Sequence, residues 1–316
     1  MTDPDPITLI TDLPDEEEAG CLAELAAAMP GERIVPLRAA NADERAHCTI
    51  AIVARPDPAA LTALPGLAWV QSLWAGVEQL VARLPDGKPP VVRLVDPELT
   101  RTMAEAVLAW TYYLQRDMPA YLAQQRSCVW QQRPYRKPAD TTVGIVGLGT
   151  LGSRAAERLI DAGFRVTGWS RMPKTLRGVA TCHGEDGLAQ LLGASDIVVC
   201  LVPLTDGTRG LLDARRLAAM KPGAALVNFA RGPVVVAADL LRALDDGRLS
   251  HAVLDVFDIE PLPVDSPFWQ HPSVTVLPHV SAPTDLRTAA AVVARNVAAY
   301  RATGRIPDGI DFSRGY

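Results

Sequence analysis

The sequence predicts an α/β protein with two doubly wound parallel sheets, one domain inserted in the other. A strand, a glycine-rich turn, a helix and a second strand follow one another across Val143–Arg171. Strand-like and helix-like segments also alternate before that stretch, from Ile7 to Leu73. An alanine-rich helical pattern, Ala282–Thr303, is long enough to return to the first domain. At 316 residues and 48% hydrophobic content, the chain can fill two cores.

Ile7–Ile10, Ile34–Leu37, Cys48–Ala54 and Trp69–Leu73 are short apolar runs of the kind that form buried parallel strands. Glu16–Met29 has helical spacing, and Asp57–Leu64 has helical character. The segment Leu73–Glu78, with Trp74, Ala75 and Gly76, falls at a strand end, where parallel sheets place ligands. Backbone N–H groups there suit an anion; an ordinary strand-to-helix turn accounts for the residues equally well. Pro97 marks the crossing into the second domain and opens a helical pattern through Gln125, with Met103, Val107, Trp110 and Leu114 recurring at helical spacing. Asp117-Met118-Pro119 interrupts it, because the residue before proline avoids the helical region. Ser127–Asp140 then carries Trp130 and Tyr135 among Arg, Gln and Pro, long for a connection in a compact domain. Such an arm suits a subunit interface or a surface loop.

Val143–Val146 leads into Gly147-Leu148-Gly149-Thr150-Leu151-Gly152, a helix through Ile160 and a second strand, Phe164–Trp169. This is the opening half of a dinucleotide-binding unit. Gly147 permits the tight turn, Gly149 lets backbone approach a pyrophosphate, and Gly152 lets the helix pack on the strand. A site for NAD usually ends the second strand with Asp or Glu. Here Trp169-Ser170-Arg171 follows, with Lys174 and Arg177 close behind. From Ala162 to Gly184 there are four Lys or Arg and no carboxylate, in a chain of net charge -5. A guanidinium and a hydroxyl suit a 2′-phosphate, which a carboxylate would repel, so NADPH is expected over NADH.

Further strands are expected at Ser195–Leu201, Ala224–Asn228, His251–Val256 and Ser273–Leu277, with helices at Asp213–Met220 and Ala237–Asp245. About four to six strands in this region suffice for a doubly wound sheet. Three polar residues follow successive strands: Arg231, Glu260 and His279. Strand ends of one parallel sheet converge on one crevice. Reduction of a 2-keto acid needs a planar cation for the carboxylate and ketone, which suits Arg. It needs an acid near neutral pH, which suits His, and a carboxylate to orient that imidazole and stabilise its cation. Each residue alone is weak evidence, since a strand-end Arg is usually a surface cation and a single His a core group. The other histidines (His47, His183, His251, His271) lack a comparable setting, and no metal-ligand spacing is present.

The pI of about 5.6 makes no global electrostatic case for nucleic acid. No apolar run is long enough to span a bilayer, and Met1–Pro6 lacks the pattern of a signal peptide. Five scattered cysteines read as reduced thiols, so a cytoplasmic protein is expected.

These motifs together resemble the D-isomer-specific 2-hydroxyacid dehydrogenase family, over nearly the full length and most strongly over Val143–Val280. Met220–Val234 (MKPGAALVNFARGPV) is similar to the family's long signature, which contains the Arg. Asp255–Leu262 and Leu277–Val280 look like the segments carrying the Glu and the His. Trp169-Ser170-Arg171, Pro261–Pro272 and Arg314-Gly315-Tyr316 resemble the glyoxylate/hydroxypyruvate reductase A subgroup. The resemblance implies a Rossmann NADP-binding domain, residues 97–283, inserted in a flavodoxin-like substrate domain, residues 1–96 with 284–316. It implies a substrate cleft between them, NADPH-dependent reduction of glyoxylate and hydroxypyruvate, and a homodimer joined through the cofactor domain. Carried over by position, Arg231 binds the carboxylate and ketone, His279 is the acid/base and Glu260 its partner. Backbone groups of Ala75 and Gly76, beside Trp74, hold the carboxylate. The glycine turn, Trp169, Ser170, Arg171, Lys174, Val202, Pro203, Thr208, Phe229, Ala230, Arg231, His279 and Ser281 face the cofactor, and Asp255 lies near its carboxamide. The family's substrate turn usually reads Gly-Ala-Gly-Val-Asp, whereas Trp74 and Glu78 replace its ends here. That indole either narrows the pocket or forms an aromatic wall, which leaves the preferred keto acid open. The same resemblance admits an NAD(P)-dependent dehydrogenase for another or larger 2-keto acid, including an NAD-dependent relative of the phosphoglycerate or D-lactate type, and a non-enzymatic cofactor-sensing binding protein.

Overall fold

The computed structural model describes residues 5–84 and 89–312. The subgroup-like Arg314-Gly315-Tyr316 lies outside the described residues. The chain divides into one unit of Met1–Leu99 with Thr284–Tyr316 and a second of Thr100–Pro283.

The first unit holds β1 (Ile7–Thr11), β2 (Ile34–Pro36), β3 (Ile50–Ala54), β4 (Trp69–Ser72) and β5 (Val91–Val92), all parallel, in the order β2-β1-β3-β4-β5. Successive side chains of a strand face opposite ways. Thus Ile50, Ile52 and Ala54 enter one core while Ala51 and Val53 enter the other. The C-terminal helix, Leu286–Thr303, buries Ala289, Ala290, Val293 and Val297 in the first of these cores, against Leu25 of the helix Asp15–Ala28. The expected return of this helix to the N-terminal sheet is what the structure shows.

The second unit holds β6 (Thr142–Val146), β7 (Arg165–Ser170), β8 (Ala180–His183), β9 (Ile197–Cys200), β10 (Ala224–Asn228), β11 (Leu249–Leu254) and β12 (Val274–Val276). All are parallel, in the order β12-β11-β10-β9-β6-β7-β8. The order reverses between β6 and β9, which is where a doubly wound sheet opens its crevice. Again both faces are covered. Val198 and Cys200 pack under the helices Gly184–Ala194 and Ala237–Asp245, and Ile197 and Val199 pack under Thr150–Asp161. The sheet has one strand more than expected. β8 is half exposed and carries no apolar alternation, so nothing in its pattern marks it.

The long helical pattern ends at Gln115 and resumes over Met118–Arg126. The break sits one residue earlier than the proline rule places it. Asp117 takes the left-handed conformation at φ 55°, and Pro119 lies within the first turn of the next helix, which tolerates it.

Candidate active site

The glycine turn leaves β6 with Gly147 at φ +112°. Its N–H and that of Leu148 both donate to the carbonyl of Trp169, at 2.9 and 3.2 Å. Gly147 also lies so close to the loop after β9 that a Cβ would meet the Leu201 carbonyl carbon at 2.8 Å. A Cβ on Gly152 would stand 1.9 Å from the Gly147 oxygen, whereas Gly149 has nothing within 4 Å and is exposed. Two glycines thus allow close backbone packing, and the third leaves room above the N-terminus of Thr150–Asp161. Thr150 and Leu151 form its first turn, whose N–H groups have no intrahelical acceptor.

The basic loop after β7 is exposed at Arg171, Lys174 and Arg177. Ser170 Oγ donates to the Met172 carbonyl at 2.7 Å, and Lys174 folds back to donate to the Leu148 carbonyl and to Ser153 Oγ at 3.3 Å. That puts an ammonium at the mouth of the glycine turn. Trp169 itself is buried, with its indole N–H on the Gly184 carbonyl at 2.8 Å. What it offers the turn is its backbone carbonyl. Val202 is likewise a core residue, and Thr208 Oγ1 donates to the Pro203 carbonyl at 2.6 Å within its own loop.

At the ends of β10, β11 and β12 the three predicted polar residues sit on neighbouring loops. Asn228, Phe229 and Ala230 are buried, and Arg231 follows in extended backbone. Arg231 Nη1 donates to the Ala230 carbonyl at 2.7 Å. A Cβ on Gly232 would lie 2.0 Å from the Phe257 carbonyl carbon, so only glycine lets the Arg231 loop rest on the Glu260 loop. Glu260 is held at both oxygens: Oε1 accepts the Phe257 N–H at 2.9 Å, and Oε2 lies 2.8 Å from His279 Nδ1. The carboxylate therefore fixes the imidazole's Nδ1 edge and directs Nε2 elsewhere. His279 has φ 55°, uncommon for a residue with a Cβ. The two residues after it are clamped by Asp255, which is 2% exposed. Its Oδ1 accepts the Val280 N–H at 2.7 Å and its Oδ2 the Ser281 N–H at 2.9 Å.

Asp255 therefore has a positioning duty that sequence reasoning missed. The Asn228 side chain also bonds the turn that follows it, accepting the Ala230 N–H at 3.2 Å and donating to the Arg231 carbonyl at 3.1 Å. An Asn three residues before an Arg, at a strand end, is the one signal that marks it.

A dinucleotide fits these residues. Ser281 Oγ is buried without a hydrogen-bond partner, an unfavourable state that a carboxamide placed there would relieve. The space at Gly149 and the helix N-terminus suit a pyrophosphate. In the first unit, Trp74 packs its half-buried indole against the core. Ser72 Oγ accepts the Trp74 N–H at 2.9 Å, and the Trp74 carbonyl accepts the Leu94 N–H at 3.1 Å. Packing on that core accounts for part of the bulk that the sequence left unassigned. Ala75 and Gly76 follow, each half-buried.

Two of the remaining histidines, His251 and His271, have structural settings, whereas His47 and His183 are exposed. His251 is buried with Nε2 2.9 Å from Thr275 Oγ1, and burial, reinforced by His271, pushes its pKa down to about 4. His271 meets Asp245 at 3.2 Å. No cluster of three or more His, Cys, Asp or Glu able to hold a metal occurs among the described residues.

Residues 108–281 match the family described as D-isomer specific 2-hydroxyacid dehydrogenase, NAD binding domain. The chain is 38% identical, over 85% of its length and 88% of the relative's, to glyoxylate/hydroxypyruvate reductase A of Photorhabdus laumondii. A D-isomer specific 2-hydroxyacid dehydrogenase of Xanthobacter autotrophicus, solved with NADPH and MES, superposes with a TM-score of 0.90 at 39% identity, over 99% of each chain. An NADPH-dependent glyoxylate/hydroxypyruvate reductase of Sinorhizobium meliloti, solved with NADP and sulfate, gives a TM-score of 0.90 at 35% identity, over 99% of this chain and 100% of that one. Profile match, full-length identity and shared fold agree, and this chain belongs to the D-isomer specific 2-hydroxyacid dehydrogenase family.

Proposed function

We propose that the enzyme reduces small 2-keto acids with NADPH, taking glyoxylate to glycolate and hydroxypyruvate to D-glycerate. The observation that carries this reading is the 2.8 Å His279–Glu260 pair, on a loop packed through Gly232 against the turn of Arg231. Two relatives named glyoxylate/hydroxypyruvate reductase, the Sinorhizobium one also named NADPH-dependent, support the substrate class. Arg231 grips the substrate carboxylate and polarises the ketone, and the backbone of Ala75 and Gly76 is assigned to the same carboxylate. His279 delivers a proton to the ketone oxygen, with Glu260 stabilising the imidazolium beforehand. The glycine turn, Ser170, Arg171, Lys174 and the Ser281 hydroxyl are assigned to NADPH, which when bound supplies the hydride. Arg171 and Lys174, in a stretch from Ala162 to Gly184 whose sequence holds no Asp or Glu, favour the 2′-phosphate.

The assembly we propose is a homodimer joined through the second unit. Trp130 is 99% exposed on the arm and Val129 47%, apolar surface that a second copy would cover. Five unpaired thiols fit a reducing, cytoplasmic setting, and no helix among the described residues is long and apolar enough to cross a membrane.

Initial rates with glyoxylate, hydroxypyruvate, pyruvate and phenylpyruvate, each against NADPH and NADH, test the reading. Fast NADPH oxidation with the two small acids is expected. Preference for an aromatic keto acid would redirect the substrate assignment to Trp74. Absence of turnover with every pair, despite NADPH binding, would point to a cofactor sensor.

A further inference from the structure

We propose that Asn228 is a positioning residue for this reduction, acting through Arg231. It ends β10 and is 1% exposed, a depth at which a primary amide must be paired at both ends. Its Oδ1 accepts the Ala230 N–H at 3.2 Å and its Nδ2 donates to the Arg231 carbonyl at 3.1 Å, closing the turn from within. Arg231 Nη1 in turn donates to the Ala230 carbonyl at 2.7 Å. The backbone on either side of the Arg231 Cα is therefore tied to Asn228 and to the guanidinium itself. Gly232 then lies against Phe257 so closely that the turn has no room to slide.

The same residue ties the Arg and His loops together. The Asn228 carbonyl accepts the Asp255 N–H at 3.2 Å, and Asp255 clamps the Val280 and Ser281 N–H groups that follow His279. Two adjacent strand ends thus set the separation of the substrate-gripping cation and the proton donor. Position 228 calls for one acceptor and one donor of fixed reach. Asp has the shape without the donor, and would set a carboxylate oxygen against the Arg231 carbonyl.

This inference rests on the assignment of Arg231 to the substrate, and the experiment separates the two. Asn228→Asp, Arg231→Ala and the double variant are prepared in the full chain. Glyoxylate kcat and KM, NADPH affinity by fluorescence titration, and Tm are measured for each. Asn228→Asp is expected to lower kcat/KM by about tenfold or more while NADPH affinity stays within about twofold of the parent. In the Arg231→Ala background the same change should cost little more, because its effect passes through the side chain already removed. Should the Asp variant fold poorly, Asn228→Ser, which keeps an acceptor, is expected to give the same split. Wild-type kcat/KM in a folded Asn228 variant, a loss confined to Tm, or full additivity with Arg231→Ala would overturn the proposal. If Arg231→Ala itself retains wild-type turnover, the Arg231 assignment fails and this inference falls with it. If Arg231→Ala is crippled and Asn228→Asp silent, only the inference about Asn228 fails.

Discussion

Arg231 enters its turn in extended backbone, φ −148° and ψ 150°, with one guanidinium N–H on the preceding carbonyl. Five donors in a rigid fork let such a side chain serve its own backbone and a bound anion together. Truncation to alanine removes a charge-assisted contact, and kcat/KM for glyoxylate is expected to fall about 10²-fold or more. A steady-state assay showing an unchanged kcat/KM would remove Arg231 from the substrate. The three polar residues at strand ends were legible because Arg, Glu and His advertise their chemistry. Asn228 and Asp255 were not, since what they bond depends on which backbone N–H and carbonyl groups they face. Resemblance put Asp255 beside a carboxamide; in the folded chain both of its oxygens accept N–H groups of the His279 loop. Trp169 and Thr208 carry the same lesson, because their side chains bond within the protein.

The strand-turn-helix element around Gly147 was the most legible, because its glycines answer to steric demands that few other residues meet. Gly152 shows the demand most sharply: a methyl there would sit 1.9 Å from the Gly147 oxygen. The contacting atom is backbone, so relief requires the helix Thr150–Asp161 to withdraw from β6 and its N-terminus to leave the turn. Gly152→Ala should weaken NADPH binding by about tenfold or more, read by fluorescence titration, with a smaller change in Tm. Equal affinity in the two proteins would mean that the turn tolerates the shift, and the close-packing account would be wrong. The strands that escaped the sequence were short or half exposed, and the helix Gly184–Ala194 escaped it as well. β5 has two residues, and β8 shows no alternation between an apolar and a polar face. Without periodicity there is no signal to read, and pairing with a longer neighbour decides the strand.

Across the whole molecule, two properties depend on more than one element. The first is assembly. The arm is anchored at Arg136, which pairs with Asp196 at 3.0 Å, and the Arg116 guanidinium stands 5.0 Å from the ring centre of the exposed Tyr135, while Trp130 stands out almost fully exposed. The homodimer proposed above predicts that Trp130→Ala shifts sedimentation from dimer toward monomer at micromolar concentration and leaves the fold intact; a parent protein that sediments as a monomer, or a variant dimer that is unaltered, would overturn that interface. The second is the dependence of stability on pH. His251 on β11 is 5% exposed; its ring meets Thr275 of β12 and stands edge-on to Tyr113, with His271 nearby. Its folded-state pKa of about 4 lies below the value of 6.5 for an unhindered imidazole. Between those values the unfolded chain takes up a proton that the folded chain refuses, so stability rises with pH across that window. His251 should thus cost nothing above about pH 6.5, and the fold should lose up to about 3 kcal/mol as pH falls toward 4. Carboxylates titrate at the lower end of the same range, so the comparison must be with a variant. In His251→Gln the decline between pH 6.5 and 4.5 should flatten, whatever its stability at neutral pH, when urea midpoints are followed against pH. Parallel curves for the two proteins would show that the buried imidazole already takes its proton in the folded state.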